Sequence, residues 1–107
     1  IRPQEDPERI RRGFVNIDCD YAILGHTHLP MVLTGVLEHV TIINPGSVGL
    51  PMDGDPRASW ALLDLDTGSV YPRRVEYDVD ATVRDLRYMP DPEREALEGM
   101  YRYGTLQ

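Results

Sequence analysis

The sequence contains no lysine. All eleven basic residues are arginine, set against eighteen aspartates and glutamates, for a formal net charge of −7. The missing lysine reads as a compositional bias without functional content, but the acidic balance does exclude something. Non-specific binding to long nucleic acids needs clustered Lys and Arg, and is not expected here. A small phosphorylated substrate stays open, because a bound metal supplies positive charge locally. Cysteine is nearly absent as well. The lone Cys19 excludes an internal disulfide, fits a reducing, cytoplasmic compartment, and sits between acids that disfavour a nucleophilic thiolate. Nothing approaches the roughly 18 consecutive apolar residues of a membrane-spanning helix. No apolar signal segment follows Ile1, and there is no initiator Met, so the chain is expected to be the inner piece of something longer. Its 107 residues allow one small domain with a modest core.

What is present reads as α/β. Asp6 and Pro7 suit the cap and first position of a helix running to Asp18. Ile10, Phe14 and Ile17 would form its apolar stripe, with Gly13 a weak point. Tyr21 to Leu24 is a short apolar run without alternation, which predicts a strand buried on both faces. A helix feeding such a strand is α/β grammar. Met31–Val36 and Val40–Asn44 read as strands joined around Leu37-Glu38-His39. Asn44-Pro45-Gly46-Ser47 reads as a turn. Ser59–Asp66 and Val70–Val79 form a hairpin about Thr67-Gly68. In its second arm Tyr71, Val75, Tyr77 and Val79 share the face predicted to be buried, and Pro72 suggests an edge or bulge. Asp80 is expected to cap a helix to Met89, with Val83 and Leu86 inward. Asp91-Pro92-Glu93-Arg94 opens a last helix ending near Gly104, and repeats Asp6-Pro7-Glu8-Arg9 as shared capping chemistry.

The chemistry concentrates in Gly25-His26-Thr27-His28, at the end of the Tyr21–Leu24 run. Alternate residues of an extended segment point to one side, so His26 and His28 would project together with Thr27 turned away. Such a pair could grip one ion, or serve two ions roughly 3.5–4 Å apart. Ligand sites in α/β sheets gather at the carboxyl ends of strands. On spacing alone, two loop histidines with solvent or carbonyl partners remain the alternative.

Three blocks together are more specific. Ile23-Leu24-Gly25-His26-Thr27-His28-Leu29-Pro30, then Asn44-Pro45-Gly46-Ser47-Val48-Gly49, then Arg57-Ala58-Ser59-Trp60-Ala61-Leu62-Leu63-Asp64 resemble, in order and spacing, the calcineurin-like metallophosphoesterases. The match is to their small bacterial and archaeal phosphodiesterase branch, over about Asp18 to Val79. The resemblance implies a four-layer α-β-β-α sandwich with mixed and antiparallel strands and terminal helices. It implies that His26 binds the second metal and His28 the first, and that Asn44–Ser47 is a turn close to the active site, here taken as mainly structural. It implies two divalent ions (Mn, Zn, Fe or Ni, with Mn favoured) sharing a bridging hydroxide that attacks a phosphodiester. The family's remaining ligands come earlier in its chain, and none of those blocks is here. Residues 1–107 are therefore expected to be the C-terminal portion of a single metallophosphoesterase domain, inactive alone. The alternative is a non-catalytic scaffold of the same fold.

Other candidates read more simply. His39 is a turn histidine, and Asp53, Asp55 and Arg57 belong to a solvated loop. Ser47 lacks the strand–elbow–helix setting of a hydrolase nucleophile. Trp60, Tyr71 and Tyr77 are expected mostly in a core. Met100, Tyr101 and Tyr103 suit packing of the last helix or a subunit contact. The Tyr21–Leu24 strand, short of neighbours, would expose an edge. Partners expected on this reading are a small phosphorylated substrate, no membrane, and either a second copy of the chain or the missing N-terminal half.

Overall fold

The structure is a computed structural model in which residues 1–105 are described. Five strands form two sheets. In the first, β1 (Tyr21–Ile23) runs parallel to β3 (Val40–Asn44), and β2 (Met31–Leu37) lies antiparallel on the other side of β3. In the second, β4 (Ala58–Leu63) and β5 (Val70–Val75) form an antiparallel hairpin. Helix α1 (Pro7–Gly13) precedes β1, while α2 (Val79–Asp85), a single 3₁₀ turn (Leu86–Tyr88) and α3 (Glu93–Tyr103) close the chain. This is the mixed α/β fold expected.

The core forms where α1 meets the first sheet. Ile10, Met31 and Ile42 are buried together, and Phe14, Ala22, Leu24 and Leu33 pack against them. Ala22, Leu33 and Ile42 lie side by side across the three strands, so alternation sends all three to the helix-covered face. The turn at Glu38-His39 uses a left-handed His39. Gly35 is also left-handed and sits where the β2–β3 register shifts, as in a bulge that needs positive φ.

The two sheets are stitched at the Asn44–Ser47 turn. The Ser59 backbone N–H donates to the Ser47 carbonyl at 2.9 Å, and the Ser59 hydroxyl donates to the Pro45 carbonyl at 2.7 Å. Gly46 adopts φ +84°, and a Cβ built on it would lie 2.6 Å from Ser59 Oγ. Glycine is required there by conformation and by space.

Several expectations need correction. Helix α1 stops at Gly13, not Asp18: the Phe14 N–H turns back to the Arg11 and Arg12 carbonyls, Asn16 is left-handed, and Ile17 is exposed. Strand β1 is not buried on both faces, because Ile23 is 67% exposed. Strand β5 ends at Val75. Asp78, not Asp80, caps α2 by accepting from the Ala81 N–H at 3.0 Å, and this draws Val79 into a helix. Val83 is buried in that helix as expected, but α-helix gives way to the 3₁₀ turn at Leu86. The two Asp-Pro-Glu-Arg segments do not share capping. Asp6 accepts from the Glu8 N–H, whereas Pro92 occupies the cap position of α3 without a side-chain bond and Asp91 pairs with Arg94. Gly104 ends α3 in the left-handed conformation, as expected.

Candidate metal centre

Strand β1 delivers Gly25-His26-Thr27-His28 beyond the end of the sheet, beside the C-terminal end of parallel β3. The segment is not extended. His26 has φ 77° and His28 φ 59°, a region that non-glycine residues enter only when the surroundings hold them there. The simple alternation expected for two ligands on a strand is therefore replaced by a tight loop with a left-handed residue on each side of Thr27. The Thr27 N–H donates to the Gly25 carbonyl at 3.0 Å.

The two imidazoles sit differently. His26 is exposed and lines an open cavity of about 380 Å³ with Arg2, Glu5, Leu29 and Met52. His28 is half-buried, and its Nδ1 lies 2.7 Å from the Leu50 carbonyl oxygen. A carbonyl only accepts, so Nδ1 carries a proton, and in the neutral ring it is Nε2 that has the lone pair. Metal-ligating histidines are oriented by a bond of this kind on the other ring nitrogen. Leu50 is itself left-handed, with φ 51°. Thus His28 fits a divalent metal through Nε2, and His26 offers an open ring beside a cavity. Among the described residues no group of three or more His, Cys, Asp or Glu side chains comes together.

Beneath the loop lies Asn44, the last residue of β3, 1% exposed. Its Nδ2 donates to Thr27 Oγ1 at 3.0 Å and to the Gly25 carbonyl at 3.3 Å, while Oδ1 accepts from the Gly46 N–H at 3.0 Å. Thr27 Oγ1 also accepts from the Leu29 N–H. Thr27 therefore points inward, onto Asn44. Sequence reasoning assigned Asn44 to a turn and missed its side chain. The available signal was a buried-strand end occupied by an amide.

The other candidates have partners outside the loop. His39 is at the opposite end of β3, exposed beside Glu38. Asp53 pairs with Arg74 on β5, and Asp55 with Arg57 at 2.8 Å and with Arg74 at 3.8 Å. These pairs pin the 53–57 loop to the second sheet. The Arg57 guanidinium, bonded to its side chain, holds the Asp55 carboxyl down at about 2. The Ser47 hydroxyl donates to the Gly49 carbonyl. Trp60 and Tyr71, expected in a core, are exposed, because their face of the hairpin is uncovered.

The chain thus combines a two-sheet α/β fold with a strand-end loop that carries two histidines beside a parallel strand pair. The chain belongs to the calcineurin-like phosphoesterase superfamily, whose domain model matches residues 2–68. Membership implies divalent metal ions. The chain is similar to the Escherichia coli phosphodiesterase YfcE, 46% identical over 48% of this chain and 26% of YfcE. It is also similar to uncharacterized protein MJ0912 of Methanocaldococcus jannaschii, 36% identical over 56% of this chain and 30% of that protein. A metallophosphoesterase from Sphaerobacter thermophilus superimposes with a TM-score of 0.77 at 30% identity, covering 92% of this chain and 48% of its own. Protein PH1004 from Pyrococcus horikoshii shares the fold, with a TM-score of 0.74 at 21% identity over 100% of this chain and 41% of its own. The chain thus spans under a third of the curated relatives it matches and under half of the solved ones.

Proposed function

We propose that this chain supplies the last ligand segment of a two-metal phosphodiesterase centre, with His26 and His28 each donating an imidazole nitrogen in the complete enzyme. The observation that carries the reading is the His28 Nδ1–H bond to the Leu50 carbonyl, which leaves Nε2 free on a loop held in a left-handed conformation. The family match and the similarity to YfcE support hydrolysis of a phosphodiester. Two divalent ions, Mn²⁺ favoured, would neutralise charge on the phosphoryl oxygens and activate water at neutral pH. The residues of this chain bind and orient: His28 is fixed by Leu50, and His26 faces the cavity where a substrate can enter.

The test is hydrolysis of bis-p-nitrophenyl phosphate by a full-length protein with added Mn²⁺. His26→Ala and His28→Ala should each cost more than the roughly 10–100-fold that loss of an outer-shell partner costs. Full activity in both variants would overturn the ligand role of the two histidines, and a wild type inactive with Mn²⁺ would favour the non-catalytic scaffold. The 107-residue chain alone should show no turnover and only weak metal binding, because two imidazoles fill half of a four-coordinate shell. A submicromolar one-to-one site by calorimetry with Mn²⁺ or Zn²⁺ would contradict that.

A further inference from the structure

We infer that Asn44 is a positioning residue for the metal-binding loop, holding both histidines in place through Thr27 and the Gly25 carbonyl. This rests on the reading of His26 and His28 as ligands. The Asn44 side chain bonds to Gly25, Thr27 and Gly46 and not to the imidazoles. It grips the backbone just before His26 and the one side chain between the two histidines, at 3.3 and 3.0 Å. Its remaining acceptor takes the Gly46 N–H, so one buried amide joins the ligand loop to the turn that stitches the two sheets.

The residue type is dictated by this geometry. Asn presents two donors and an acceptor on a short side chain. Asp at this position could not donate to the Gly25 carbonyl, and Ser could not span three partners. Residues in the left-handed region persist only where their surroundings over-determine them. Here the determinants are Asn44 on one side of the loop and the Leu50 carbonyl, bonded to His28, on the other. Releasing Thr27 lets the loop relax and frees the His28 ring to lose Leu50.

The experiment uses the full-length protein and reads the His26 and His28 rings by NMR, first without metal and then through a Zn²⁺ titration. Wild type should show His28 as a single Nδ1–H tautomer. Asn44→Ala should give a mixture of tautomers and an apparent Zn²⁺ affinity lower by about 10–100-fold, the range for outer-shell partners. If that variant unfolds, Thr27→Val removes one of the two contacts from the half-buried side and should move the tautomer in the same direction. Ile42→Val, a core change two residues before Asn44 on β3, separates positioning from stability: it should lower the melting temperature while leaving tautomer and affinity at wild-type values. A pure Nδ1–H tautomer in both folded Asn44→Ala and Thr27→Val overturns the proposal, as does an effect of equal size in Ile42→Val. Wild-type rings that ignore Zn²⁺ while the tautomer still depends on Asn44 would overturn the metal reading and keep the positioning role.

Discussion

Tyr77 places a hydroxyl in the interior with no hydrogen-bond partner among the described residues. Burial pushes its ionisation above the ordinary tyrosine value, and the neighbouring Tyr101 adds to the shift. An unsatisfied buried polar group is a cost, so Tyr77→Phe should leave stability unchanged or raise it by up to about 1–3 kcal/mol in urea unfolding. The sign with pH follows from linkage. The folded state keeps this proton longer than the unfolded state, so Tyr77 erodes stability as pH rises above the unfolded value of 10.0. The phenylalanine variant should lose less stability between neutral and alkaline pH than wild type, and an identical alkaline slope would refute the assignment. Gly46 gives the opposite outcome. Gly46→Ala must fit a methyl against Ser59 at φ +84°, and should cost about 2–4 kcal/mol from overpacking plus left-handed backbone. Both sites show what was readable residue by residue. The His26–His28 pair and the turn glycine could be picked out from spacing and type. The orientation of Thr27, the Leu50 carbonyl and the Asn44 bonds could not, because each depends on segments far apart in sequence meeting at one loop.

At the scale of elements, strands were more legible than helix ends. Apolar runs bounded by turn residues located all five strands. Period-two alternation continued past Val75 on paper, yet capping by Asp78 overrode it. Likewise the stripe of Ile10 and Phe14 was real, but its third member, Ile17, fell beyond a local turn closed by the Phe14 N–H and a left-handed Asn16. The 53–57 loop shows how a charged segment becomes structure. Arg74 on β5 reaches Asp53 and Asp55, and Arg57 folds back on Asp55. Asp55 titrates at about 2 in the folded chain against an ordinary 3.8. Its stabilising contribution is therefore complete above the ordinary value and fades as pH falls toward about 2. Asp55→Asn should flatten the acid limb of the stability profile over that window while changing little at neutral pH, since ion pairs near solvent contribute modestly. Denaturant midpoints measured at several acidic pH values check this, and parallel curves for the two proteins would refute it.

For the whole molecule, shape and surface lead to the same expectation. The radius of gyration is 16.4 Å and the principal extents are 47 × 29 × 19 Å, whereas a compact domain of about 100 residues has a radius near 13 Å. The excess is that of an elongated molecule whose two sheets are stitched where Ser59 bonds to Pro45 and Ser47. The uncovered surface includes apolar side chains at two places. Ile23 is 67% exposed on β1, which pairs with β3 on one side only. Trp60 and Leu62 are 42% and 52% exposed, and register places them beside Arg73 and Tyr71 on one face of the hairpin. A free strand edge next to exposed apolar side chains is a template for pairing with another chain. The 107-residue chain should therefore self-associate, with a scattering mass that climbs with concentration. Ile23→Lys should reduce that association by placing a charge beside the free edge of β1, and Trp60→Arg should reduce it from the hairpin face. Wild-type protein that stays monomeric across the concentration series would refute the expectation. If Ile23→Lys alone restores the monomer, the strand edge is the contact, and if Trp60→Arg alone does so, the hairpin face is.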